Sequence, residues 1–123
     1  LAGVGSTVHR SGYVFRFLPS GSGKDGMKMS VIYIAGQITG TQDYKERFSQ
    51  AEQLLRSEGH IVLNPTVLPA GMLYESYFPI CFAMIDAAEK MYFLRGWEKS
   101  RGAREEFAHA ASKRKAMMFE GEG

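Results

Sequence analysis

A chain of 123 residues is long enough for one layered core and too short for two, and a composition of 45% hydrophobic, 23% charged and 12% aromatic residues is that of an ordinary globular protein. No apolar run approaches the roughly 18 residues of a membrane span, so a membrane protein is not expected. The formal charge of +2 is uneven: residues 1–29 hold Arg10, Arg16, Lys24 and Lys28 against Asp25, a balance of +3 that leaves the rest at about −1, which argues against a nucleic-acid footprint on the folded part. The single cysteine, Cys81, allows no internal disulfide and gives no zinc spacing. A reducing cytoplasm is the expected setting, and neither a metal nor a cofactor is implied.

Residues 1–29 are dense in Gly and Ser and end in Met27 and Met29, either of which could begin the protein. They lack the apolar stretch of a secretory signal and read as a poorly ordered extension to a domain over 30–123. Within them "SGYVFRFL" alternates enough for a short strand.

From Ser30 the pattern becomes regular. "VIYIAG" (31–36) is a β-branched run ending in Gly, the mark of a strand buried on both faces. "TQDYKERFSQAEQLLRSEG" sets Tyr44, Phe48, Ala51 and Leu55 on one helical stripe, with Thr41 or Asp43 as cap and Gly59 as stop. "HIVLNP" (60–65) is a second strand closed by Pro65. Pro79 belongs near a helix start, so "PICFAMIDAAE" predicts a helix beginning around 76–79. "KMYFL" (90–94) is a third strand, 101–114 a third helix and "KAMMFE" (115–120) a fourth strand. Strands alternating with helices predict an α/β fold: a parallel sheet in the order 2-1-3-4, layered between helices as a three-layer α/β/α sandwich of flavodoxin-like or Rossmann-like type.

Ligands of such sheets bind where the strands' carboxyl ends open into loops. The first loop, "AGQITGTQD", spaces Gly36 and Gly40 as G-x-x-x-G, which serves a permissive turn as readily as a ligand cradle. The third, "RGWEKSRGA", runs into a helix carrying Glu105 and Glu106. With Ala103, Phe107, Ala110 and Arg114 defining the inner stripe, Glu106 lies about 60° from Ala103 and Glu105 about 160° away, so only Glu106 is aimed at the sheet edge. An acid near a helix N-terminus is also favoured by the macrodipole alone. Ser100 is either an anion ligand or simply the helix cap. Lys99, Arg101 and Arg104 surround it. Trp97 can stack on a base, cover the core or meet another subunit. Tyr33, Cys81, His60 and His109 read as packing or surface residues.

The run from "IYIAGQITG" through "FSQAEQLLRSEGHIVLNP" to "GWEKSRGAREEFAHA" resembles a phage and bacterial domain-of-unknown-function family neighbouring the nucleoside 2-deoxyribosyltransferases and the 2'-deoxynucleoside 5'-monophosphate N-glycosidases, over residues 31 to about 120. The resemblance implies a nucleoside or nucleotide ligand and cleavage or exchange of its N-glycosidic bond. Glu106, four residues after Gly102, matches the glutamate that attacks the anomeric carbon. Ser100 matches a serine that binds the 5'-phosphate. Gly36, Gln37, Ile38, Thr39 and Gly40 would line the sugar and base site, with Gly102 and Trp97 beside them. The aspartate that assists in those enzymes falls near Cys81 here, and the nearest acid is Asp86, the second candidate acid/base. That departure keeps a second reading open, a non-catalytic nucleotide-binding or accessory module on the same fold. Pockets completed across subunits in those enzymes, and the aromatic segment "MLYESYF" here, imply a homodimer or larger homo-oligomer.

Overall fold

The computed structural model describes residues 5–8, 14–17, 23–24 and 27–121, with side chains from Met29 onward. In the N-terminal region, β1 (Gly5–Val8) pairs antiparallel with β2 (Val14–Phe17), the strand expected from its alternation, and β3 (Gly23–Lys24) pairs with β4 (Met27–Lys28). The rest of the expected extension lies outside the described residues.

The domain that follows alternates strand and helix: β5 (Val31–Ala35), α1 (Tyr44–Ser57), β6 (Ile61–Leu63), α2 (Tyr77–Ala87), β7 (Lys90–Phe93), α3 (Arg101–Ser112) and β8 (Ala116–Phe119). Its four strands form one parallel sheet in the order β6-β5-β7-β8, with Tyr33 beside Leu63 on one side and Met91 on the other. This is the 2-1-3-4 order expected for an α/β fold.

The period-two alternation of β5 divides the core into two halves. Ile32 and Ile34 pack with Phe48, Ala51 and Leu55 of α1. Tyr33 and Ala35 pack on the other face with Cys81 and Ile85 of α2 and Ala110 of α3. Helices therefore cover both faces, which is why the strand reads as an unbroken apolar run. Phe48 is fully buried, and truncating it to alanine should cost about 3–5 kcal/mol in lost transfer energy and cavity.

The crossover β5–α1–β6 runs to one side and β6–α2–β7 returns over β5 to the other. Right-handed connections put α1 on one face and α2 and α3 on the opposite one, so the chain diverges at the carboxyl ends of β5 and β7.

Several boundaries differ from the periodicity by a residue or two, and three of them have a visible cause. The second strand stops at Leu63 because buried Asn64 turns the chain, its side chain accepting from the Thr66 N–H at 2.9 Å. The third helix ends at Ser112 because Arg114 adopts φ 60° and the Lys115 N–H returns to the Ala110 carbonyl. Arg114 thus leaves the inner stripe and is exposed. The fourth strand accordingly begins at Ala116, not 115.

Candidate active site

The divergence point opens into a cleft of about 640 Å³. One wall is the loop after β5, with Gly36, Ile38 and Thr39, together with Tyr44, Lys45 and Phe48 at the start of α1. The opposite wall is the start of α3, from Lys99 through Ala103 to Glu106. The segment 65–78 closes the third side, contributing Thr66, Met72, Tyr74, Tyr77 and Phe78. A phenol ties the middle of that segment together: the Tyr77 hydroxyl accepts from the Met72 N–H at 3.2 Å and donates to the Pro69 carbonyl at 2.7 Å.

Glu106 lies in the first turns of α3 and is partly buried, whereas Glu105 one residue earlier is exposed and pairs loosely with Arg101 at 3.8 Å. The Glu106 Oε2 accepts a hydrogen bond from the Tyr33 hydroxyl at 2.9 Å. Tyr33 comes from the middle of β5 and is fully buried, so the bond joins the central strand to α3 under the cleft. The buried Cys81 thiol of α2 lies close enough to both groups to influence their acidity. Burial pushes the Glu106 carboxyl up to about 7, against the opposing pull of the hydrogen bonds from Tyr33 and Cys81. Burial, reinforced by the Glu106 charge, holds the Tyr33 phenol well above its ordinary value. Burial likewise raises the Cys81 thiol to about 11, so it stays protonated and serves as a weak donor. Among the described residues, Glu106 is the one carboxylate lining the cleft.

Ser100 serves as the cap of α3, its Oγ accepting from the Ala103 N–H at 3.1 Å, and it also lines the cleft. The two roles are compatible. Capping uses a lone pair and leaves the hydroxyl proton to donate to an anion beside the free N–H groups of the helix start. Lys45, Lys99 and Arg101 supply positive charge along the same walls. Arg104 is turned to the loop, donating to the Glu98 carbonyl at 2.7 Å. Gly102 allows close approach, since a Cβ there would meet the Tyr74 hydroxyl at 3.2 Å.

The other sequence-derived candidates separate. Gly36 borders the cleft, but its small size also serves packing, because a Cβ would meet Leu94 at 2.9 Å. Gln37 donates to the Thr39 carbonyl at 3.1 Å and stabilises its own loop, and Gly40 takes the turn at φ 87°; neither lines the cleft. Trp97 packs against Phe93 and Phe107 at centroid distances of 4.8 and 5.0 Å and so covers the core, bordering a separate hollow at the ends of β7 and β8. Asp86 sits at the far end of α2, bonded to His109 at 2.8 Å and outside the cleft. His60 is structural, its Nδ1 accepting from the Ser30 N–H.

Comparison with known proteins matches residues 30–119 to the family described as Domain of unknown function (DUF4406). The chain belongs to that family. No curated protein matches. Among solved structures, the DUF4406 domain is similar to a 2-desoxiribosyltransferase from Leishmania mexicana, with a TM-score of 0.59 and 21% identity over 72% of this chain and 62% of that one. The similarity shows a shared α/β fold, and the chain spans less than two thirds of that structure's length.

Tyr33 is the site residue that periodicity concealed in this DUF4406 member. It fits the apolar alternation of β5 so well that it reads as packing. Its hydroxyl is nonetheless a polar atom in a strand covered on both faces, and such an atom requires a partner. Tyr74, Tyr77 and Lys45 had no such signal, because the course of segment 65–78 and the convergence of two helix starts are set by tertiary structure. Among the described residues no group of three His, Cys, Asp or Glu side chains is arranged to hold a metal ion, and no helix is long and apolar enough to cross a membrane.

Proposed function

We propose that the cleft binds a 2'-deoxynucleoside or its 5'-monophosphate and that Glu106 acts on the anomeric carbon to cleave or exchange the N-glycosidic bond. The observation that carries this reading is a single partly buried carboxylate, fixed by Tyr33, in a cleft whose remaining charge is positive. An oxocarbenium-like transition state develops positive charge at C1', and a desolvated carboxylate on a rigid helix either stabilises it or bonds to it. Ser100, Lys99 and Arg101 suit a 5'-phosphate at the start of α3. The fold shared with a 2-desoxiribosyltransferase is consistent with that chemistry.

A nucleotide panel assayed for free base tests the reading. The wild type should release base from at least one 2'-deoxynucleotide and Glu106→Gln from none; equal rates would remove Glu106 from the chemistry. One observation favours a second reading, binding without turnover. Asp86, the nearest candidate for a second acid, is committed to His109 outside the cleft. Nucleotide binding with no release of any base would decide for it. Assembly into a homo-oligomer through the segment holding Leu73, which is 79% exposed, belongs to the same proposal and is checked by light scattering.

A further inference from the structure

Glycosidases that break a bond to a neutral nucleobase must do two things. They stabilise the sugar cation, and they put a proton on the departing base, which otherwise leaves as a poor anion. Among the described residues, the cleft offers one carboxylate for both tasks. Glu106 cannot hold a proton for the base and present an ionised oxygen to C1' in the same step. Its nearest hydroxyl, Tyr33, already donates to it from a fully buried position. Cys81 is almost as deeply buried.

The third wall supplies the complementary observation. Tyr74 lines the cleft with its ring in edge contact with Phe78, at 5.3 Å between centroids, and the Arg101 guanidinium lies 5.8 Å above the Tyr74 ring. A Tyr ring face attracts cations, so a positively charged heterocycle that stacks there takes the place of the Arg101 guanidinium and frees it for the ligand's anionic part. The cations of the cleft, Lys45, Lys99 and Arg101, meet the anionic part of such a ligand.

Resting on the proposed N-glycosidic chemistry, we infer that the preferred substrates carry a cationic base, a phosphorylated N-glycoside whose ring nitrogen is quaternary, such as an N7-alkylated purine or a pyridinium nucleotide. The step balances without a general acid. An ionised Glu106 oxygen forms a bond to C1' as the C1'–N bond breaks. The electron pair of that bond passes to the ring nitrogen and cancels its charge, so the base departs as a neutral molecule. Water then attacks C1', the pair of the C1'–O bond returns to Glu106, and the water's proton passes to that carboxylate and on to solvent. Sugar phosphate and neutral base are the products.

The test compares N7-methyl-2'-deoxyguanosine 5'-monophosphate with 2'-deoxyguanosine 5'-monophosphate, two ligands of nearly equal size that differ in leaving group. Free base is measured with the full chain, and the rate with Glu106→Gln is subtracted from each as the background for spontaneous loss. The methylated nucleotide should be cleaved at least ~100-fold faster, the low end of what a general acid contributes. Comparable rates above background would overturn the inference and leave the N-glycosidase reading standing. No release from either, with both bound, would overturn both. Tyr74→Leu should raise KM for the methylated nucleotide more than for the unmethylated one, and an equal change in the two would remove the aromatic wall from base recognition.

Discussion

Glu106 and Asp86 are the two acids that the sequence nominates, and each meets a ring-bearing partner at nearly the same distance: Tyr33 at 2.9 Å and His109 at 2.8 Å. Their acidities move in opposite directions. Glu106 is partly buried in the cleft wall, and desolvation outweighs its hydrogen bonds and raises it to about 7. Asp86 stays exposed at the other end of the α2–α3 pair, where the His109 hydrogen bond and the charges of Lys113 and Lys115 lower it. His109 is also stacked on Phe82 at 4.3 Å, and Lys115 donates to the Asp86 and Ala88 carbonyls. One hydrogen bond joins a partly buried cleft carboxyl to the central strand; the other ties the ends of two helices together. Environment decides which.

Removing Glu106 should have the largest consequence. Glu106→Gln keeps the volume and loses the charge, and base release should fall by at least ~10³-fold, while Glu105→Ala leaves it unchanged; parity between the two variants would break the contrast. The same substitution reports on stability. A carboxyl raised in the folded state binds its proton more tightly there, so its contribution to stability is present at low pH and is lost as pH rises from its unfolded value through about 7. Denaturant unfolding of wild type and Glu106→Gln should therefore diverge between acid and mildly alkaline pH by on the order of 3 kcal/mol, with the wild type the less stable at the alkaline end.

Tyr33→Phe comes next. It deletes the donor that favours the ionised form, at about 1.5–3 kcal/mol for a bond to a charged group. The pH–rate profile, which should rise as Glu106 ionises, should shift to higher pH while maximal activity is partly kept. An unmoved profile would reduce Tyr33 to packing.

These residues also mark where sequence reading stops. The strand order follows from the alternation of strands and helices, and the aim of Glu106 from helical periodicity, since a residue three positions from a buried Ala103 has little choice of face. Tyr33 does not, because the same alternation that puts it in the core hides that its hydroxyl ends under a helix 73 residues away. For Trp97 the sequence leaves a ligand, the core and a subunit contact open, and the rings of Phe93 and Phe107 hold it half-buried against the core. Asp86 was separated from the cleft by its direction along α2, which spacing alone does not fix.

Ser100→Ala should have a smaller effect, about 1 kcal/mol of stability from the lost cap, together with weaker discrimination of 5'-phosphorylated ligands from nucleosides in calorimetric binding. Asp86→Asn should have the least effect of all: unchanged base release, and a slight loss of thermal stability at neutral pH. Because the Asp86 acidity is lowered in the folded state, that stability difference is present above the ordinary aspartate range and disappears as pH falls through the folded value.

The most direct measurement is a side-chain carboxyl titration by carbon-detected NMR on the labelled chain, with Glu106→Gln and Asp86→Asn used to assign the two resonances. Glu106 should titrate near 7 and Asp86 below the ordinary aspartate value. A Glu106 resonance titrating in the ordinary glutamate range would contradict the claim that burial under the cleft, and not the hydrogen bond, makes this carboxylate chemically distinct.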